Sequence, residues 1–186
     1  MLKNIPNALT IMRLALIVPF LMLLSKQQYT HAFYIFLLAG FTDGLDGWLA
    51  RYFHWQSVLG SFIDPVADKL LIASSFISLA LIGKLPWWLV ALVFLRDVTI
   101  LFGALLWYWL IQQSHNFKPT FLSKINTMLQ LMLVTLCLFE IAFFNLPLQL
   151  NYILIILTTI TTSITYIDYV WTWGKKACAR SHHQTP

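Results

Sequence analysis

Charge is scarce in this sequence. Only 10% of its 186 residues are Asp, Glu, Lys or Arg, against about 25% in an ordinary soluble domain. Together with 59% apolar residues and a mean hydropathy of +0.74, that deficit excludes a water-soluble globular domain and points to an integral membrane protein. Cysteine is nearly absent as well. Cys137 falls inside an apolar run and Cys178 in the C-terminal tail, an arrangement that supports neither a disulfide framework nor a thiolate metal site. Glycine and proline form no low-complexity linker, and no internal repeat is visible. No cleavable leader is expected at the first apolar run, which contains Arg13 and ends in Ser25-Lys26 without an Ala-x-Ala site and is not preceded by an Arg- and Ser-rich stretch. That run is expected to remain as a membrane helix.

What the chain does have is apolar sequence in six runs, at about 8–25, 30–52, 61–83, 86–111, 122–144 and 148–173, each near the roughly 20 residues needed to cross a hydrocarbon core. The expectation is an all-α integral membrane fold with six transmembrane helices, a single domain over 1–186 whose basic tail begins at about 174. Positive charge divides between the two sides. Lys3, Arg13, Arg51, Lys118, Lys124, Lys175, Lys176 and Arg180 group on one, Lys26 and Lys84 on the other, so the positive-inside rule places both termini in the cytoplasm. The net charge of +5 then meets anionic headgroups rather than nucleic acid.

Against this background the stretch from Asp43 to Asp68 stands out, because it holds four of the seven acidic residues. With helical spacing, Asp43, Asp46, Gly47 and Ala50 share one face of the second helix, while Gly60, Asp64 and Asp68 recur every four residues down the third. Unpaired in lipid, four aspartates would cost on the order of 10 kcal/mol. The nearby cations, Arg51 and Lys69, are too few to neutralise them. The missing positive charge is most simply divalent metal, and hard carboxylate oxygens favour Mg²⁺ or Mn²⁺. Two ions held by four carboxylates would suit a phosphate ester substrate.

Other polar residues admit two readings each. Asn7, Thr10 and Arg13 are spaced to share a face, with Arg13 either an interfacial anchor or a ligand contact. His54 is an interfacial loop residue or a substrate contact, and Arg96-Asp97, near mid-membrane, form a structural pair or line a polar cavity. The stretch from Lys118 to Thr127 binds phosphate or only carries inner-side charge. Glu140 is expected at the outer interface, Asp168 beside a basic residue, and the hydroxyls of Thr158 to Thr165 bonded along or across helices.

The motif Asp43-x2-Asp46-Gly47-x2-Ala50-Arg51-x8-Gly60-x3-Asp64-x3-Asp68 resembles the signature of the CDP-alcohol phosphatidyltransferases at every fixed position. The similarity extends to Asn4-Ile5-Pro6-Asn7-x-Leu9-Thr10-x2-Arg13 and to Asp64-Pro65-x-Ala67-Asp68-Lys69, which look like the branch of phosphatidylglycerophosphate synthases and CMP-forming cardiolipin synthases. Arg96-Asp97-Val98 and Lys118-Pro119-Thr120-Phe121-x-Ser123-Lys124-x-Asn126-Thr127 look more like the cardiolipin synthases.

The resemblance implies an enzyme that moves a phosphatidyl group from CDP-diacylglycerol to an alcohol and releases CMP. On this chain it implies Asp43, Asp46, Asp64 and Asp68 as ligands of two divalent ions, and Asp68 as the base. Gly47, Ala50 and Gly60 would make room for the CDP moiety, Arg51 would meet a phosphate, and Asn7, Thr10 and Arg13 would face the CDP-lipid. For the acceptor, phosphatidylglycerol is preferred over glycerol 3-phosphate, with Arg96, Lys118 and Lys124 binding its phosphate. A homodimer in the bacterial cytoplasmic membrane is expected, the mitochondrial inner membrane being the alternative. An ion-coupled transporter would also bury aspartates, but it would be expected to show an internal repeat and broken helices.

Overall fold

The computed structural model describes the backbone of residues 5–52, 58–111, 121–144 and 148–181, and side chains within 10–44, 66–101, 103, 121–144 and 149–171. Among the described residues the chain forms six helices: α1 (Ile5–Ser25), α2 (Tyr29–Tyr52), α3 (Val58–Leu81), α4 (Trp87–Ile111), α5 (Phe121–Ala142) and α6 (Leu148–Ser181). They match the six apolar runs in order. The largest departure is at the end of α6, expected near 173 but helical to Ser181. Ala, Lys and Arg in that tail are good helix formers, and no proline stops the helix there. At 1.5 Å per residue α6 is about 50 Å long, well beyond a roughly 30 Å hydrocarbon core.

Packing closes the helices into a ring. α1 lies against α2 and α3, α2 against α5, α5 against α6, α6 against α4 and α4 against α3, while α3 also touches α5 across the middle. Two short turns set the antiparallel neighbours. After α1, Gln27 takes a positive φ of 59° and Gln28 donates back to the Leu23 carbonyl at 2.9 Å. After α3, Gly83 takes a φ of 83° and Lys84 donates to the Leu79 carbonyl at 2.9 Å. Both are left-handed helix caps that satisfy carbonyls at the helix end. The core between them is apolar, with Phe20, Phe36, Phe76, Leu79 and Leu133 almost fully buried. Phe33 of α2 meets Phe139 edge-on at 5.8 Å, joining α2 to α5.

The polarity of α6 is inverted relative to a soluble helix. Ile153, Ile156, Ile160, Ile164 and Ile167 are exposed, whereas Thr158, Thr162 and Thr165 are fully buried. Apolar outside and polar inside is the arrangement a lipid solvent selects. Among the described residues, Phe121–Ala142 and Gln149–Trp171 are long and apolar enough to cross a membrane. The chain is a membrane protein.

Inside, the threonine hydroxyls bond across as well as along helices. Thr161 and Thr162 donate to Asn126 Oδ1 of α5 at 2.8 and 2.9 Å. Glu140 differs from expectation, being buried rather than interfacial. Lys84 donates to it at 3.0 Å and Asn151 donates to its other oxygen, so a carboxylate with two donors is held inside the bundle.

Candidate active site

The side of α1 that faces its neighbours carries Thr10 and Arg13, three residues apart and both essentially inaccessible to solvent. Arg13 did not remain a simple interfacial anchor. Its Nη2 lies 2.7 Å from Asp43 Oδ1 of α2, and its Nη1 donates to Asp68 Oδ1 of α3. One guanidinium therefore joins three helices. A planar fork of donors suits two carboxylates approaching from different directions, and burial of the arginine makes the pairing necessary. The two aspartates are more open than the arginine, with side chains 40% and 37% exposed.

Asp46 follows Asp43 by one turn of α2, and Asp64 precedes Asp68 by one turn of α3, on continuous helical backbone in both cases. Their side chains, with those of Asn7, Gly47, Ala50, Arg51 and Gly60, lie outside the described residues, as do His54 and Lys118 altogether. Among the described residues no three acidic, histidine or cysteine side chains gather. The two carboxylates that are described supply hard oxygens from two helices, the donor type a divalent cation takes, and here they converge on the Arg13 guanidinium.

A second polar cluster lies on the other side of α3. Lys69, next in sequence to Asp68, points to α4 and donates to Asp97 Oδ1 at 2.7 Å. Arg96 is buried, its Nη1 donating to the same Asp97 oxygen at 2.5 Å and its Nη2 to Ser123 Oγ of α5 at 2.5 Å. Arg96-Asp97 is thus both a structural pair and part of a wall, since Lys69 and Asp97 border a cavity between α3 and α4. Of the residues expected to meet the acceptor, Arg96 is inside this cluster and Lys124, one residue beyond Ser123, is exposed. Lys69 and Ser123 were not singled out for this role from sequence. The adjacency of Asp68 and Lys69 was visible, but which neighbour each would take was not.

The family description CDP-alcohol phosphatidyltransferase matches residues 3–167. The chain belongs to that family and is an enzyme of its reaction class, transferring a phosphatidyl group in phospholipid biosynthesis. It is 33% identical over 178 residues to a protein of Mycobacterium tuberculosis named probable phosphatidylglycerophosphate synthase, covering 91% of this chain and 81% of that one. It is 37% identical over 192 residues to a Drosophila melanogaster protein named probable cardiolipin synthase (CMP-forming), covering 91% and 57%. To the human cardiolipin synthase (CMP-forming) it is 31% identical over 184 residues, covering 89% and 61%. The chain spans between half and two thirds of the length of these two animal relatives. Membership of the family removes the transporter reading.

Proposed function

We propose that the chain crosses the membrane six times as one domain, with both termini in the cytoplasm, and that it transfers the phosphatidyl group of CDP-diacylglycerol to a hydroxyl of phosphatidylglycerol, forming cardiolipin and CMP. The observation that carries the assignment of the site is the convergence of Asp43 and Asp68 on Arg13. It brings together the two helices that bear the family signature, at residues belonging to that signature.

The family is divalent-metal dependent, and here Asp43, Asp46, Asp64 and Asp68 would hold Mg²⁺ or Mn²⁺ as hard oxygen ligands. Two such ions, when bound, neutralise the pyrophosphate and make CMP a better leaving group. Gly47, Ala50 and Gly60 leave space for the cytidine and pyrophosphate, Arg51 meets a phosphate, and Asn7, Thr10 and Arg13 border the CDP-lipid from α1. Arg13 also holds the two aspartates in register. Asp68 accepts the proton of the acceptor hydroxyl. The hydroxyl oxygen bonds to the phosphatidyl phosphorus as the bond from that phosphorus to CMP breaks, and the electron pair leaves with CMP. Arg96, with Lys118 and Lys124, binds the acceptor phosphate. The enzyme acts as a homodimer in the bacterial cytoplasmic membrane, with the site open to the cytoplasm; a mitochondrial inner membrane would present the same geometry.

The relatives' names favour a second reading to the extent that one is a phosphatidylglycerophosphate synthase, for which glycerol 3-phosphate would be the acceptor. Purified protein given CDP-diacylglycerol and each acceptor separately decides between them. Cardiolipin should accumulate with phosphatidylglycerol, with kcat/KM at least about tenfold above that for glycerol 3-phosphate. Efficient formation of phosphatidylglycerophosphate with no cardiolipin would establish the second reading.

A further inference from the structure

Threonine in a membrane helix can return its hydroxyl to the carbonyl four residues back, which satisfies it within the helix. Thr159, Thr161 and Thr165 of α6 do so, at 2.7, 2.9 and 2.5 Å. Thr158 does not. It is fully buried, and its Oγ1 has no hydrogen-bond partner among the described residues. On α5 the same holds for Gln130, fully buried with neither Oε1 nor Nε2 partnered. Asn126, whose Oδ1 accepts from Thr161 and Thr162, keeps an unpartnered Nδ2.

These unspent groups lie together. α5 and α6 run antiparallel, Asn126 meeting Thr162 toward one end and Glu140 meeting Asn151 toward the other. One turn from Asn126 along α5 is Gln130, and one turn from Thr162 in the same direction along α6 is Thr158, so the two stand at one level. Around α5, Ser123, Asn126 and Gln130 fall within an arc of about 60°, with Gln130 between the other two. Ser123 holds Arg96 of α4, and Asn126 holds α6. Gln130 therefore faces the seam where α4 and α6 pack on each other.

Buried polar groups without hydrogen bonds are destabilising, and the lipid around the bundle offers no water to relieve them. Whatever satisfies these must be small, uncharged and both donor and acceptor. Asn126 Nδ2 and Gln130 Nε2 only donate, Gln130 Oε1 only accepts, and Thr158 Oγ1 does either. A metal ion would face the amide N–H groups and an anion the amide oxygen, whereas water suits all four atoms. We infer that the seam between α5 and α6 holds structural water at Asn126, Gln130 and Thr158. The levels of Asn126 and Gln130 are about 6 Å apart along α5, the span of one water with two hydrogen bonds of roughly 2.8 Å. That water accepts from Asn126 Nδ2 and donates to Gln130 Oε1 and Thr158 Oγ1, about the three hydrogen bonds usual for a buried water. A second accepts from Gln130 Nε2 and the Thr158 hydroxyl. Together they tie α6 to α5 behind the contact of Ser123 with Arg96.

Two near-isosteric variants of the full chain test the site by the sign of their effect. Thr158→Val keeps the shape and removes the hydroxyl; Gln130→Met keeps the length and removes the amide. At a dry site either change removes an unpaired polar group, and the thermal midpoint of the purified protein rises. With water bridging the groups, each variant should lower the midpoint by about 3 °C. The double variant should lower it by less than the sum, because both changes release the same water. A crystal structure of the wild-type protein at about 2 Å resolution should show water within hydrogen-bond distance of the Gln130 amide and Thr158 Oγ1. A raised or unchanged midpoint in either single variant, strictly additive shifts, or a Gln130 amide bonded directly to protein groups in that structure would overturn the inference.

Discussion

Asp68→Asn is expected to reduce turnover by about 10³-fold, within the range that a positioned general base contributes, while CDP-diacylglycerol still binds. Asparagine preserves the size of the side chain and an oxygen that can accept from Arg13, so α1 and α3 should stay joined. What it lacks is a carboxylate able to take the hydroxyl proton. The measurement is CMP release at saturating divalent cation, alongside equilibrium binding of the CDP-lipid, which separates loss of the base from loss of the site. Near-normal turnover in this variant would rule Asp68 out as the base.

Removing the other partner should act first on stability. In Arg13→Met the apolar stem is kept, but Asp43 and Asp68 face one another without the cation that joins them. Breaking a fully buried ion pair costs about 3–5 kcal/mol; because the two aspartates are more than one third exposed, a penalty of about 2 kcal/mol is expected here. The like-charge repulsion gives the variant a further signature. Its thermal midpoint in chelator should fall well below that of the wild-type protein, and addition of Mg²⁺ or Mn²⁺ should recover much of the difference. A variant as stable as wild type in chelator, or one indifferent to divalent cation, would show that Arg13 does not hold the aspartates together.

The two sides of α3 explain how far the sequence could be read. Long apolar runs report helices directly, so α1 to α6 fall where the hydropathy places them. Their spacing also marked the chemistry, since aspartates at intervals of three and four residues share a face whatever surrounds the helix. Partners were another matter. Arg13 is 55 residues from Asp68, and its contact depends on α1 packing against both α2 and α3. Likewise Lys69 stood among the cations expected near the aspartates, yet it turns to Asp97 because α4 lies on that side of α3. Glu140 looked interfacial from its distance along α5, but Lys84 and Asn151 close over it from the α3–α4 turn and from α6. Helix periodicity specifies faces; the order of helices around the ring decides what each face meets.

That order also gives α3 its place in the proposed chemistry. It carries Asp68 toward Arg13 of α1 and Lys69 toward Asp97 of α4, so consecutive residues of one helix serve two charged clusters. The central claim is that phosphatidyl transfer takes place at the aspartates of α2 and α3 and depends on divalent cation held there. The most direct test is CMP release from CDP-diacylglycerol by the purified protein in the presence of phosphatidylglycerol, measured before chelation, after exhaustive chelation, and after return of Mg²⁺ or Mn²⁺. The account predicts release that stops on chelation and resumes with the cation. Release that persists undiminished after exhaustive chelation would contradict it.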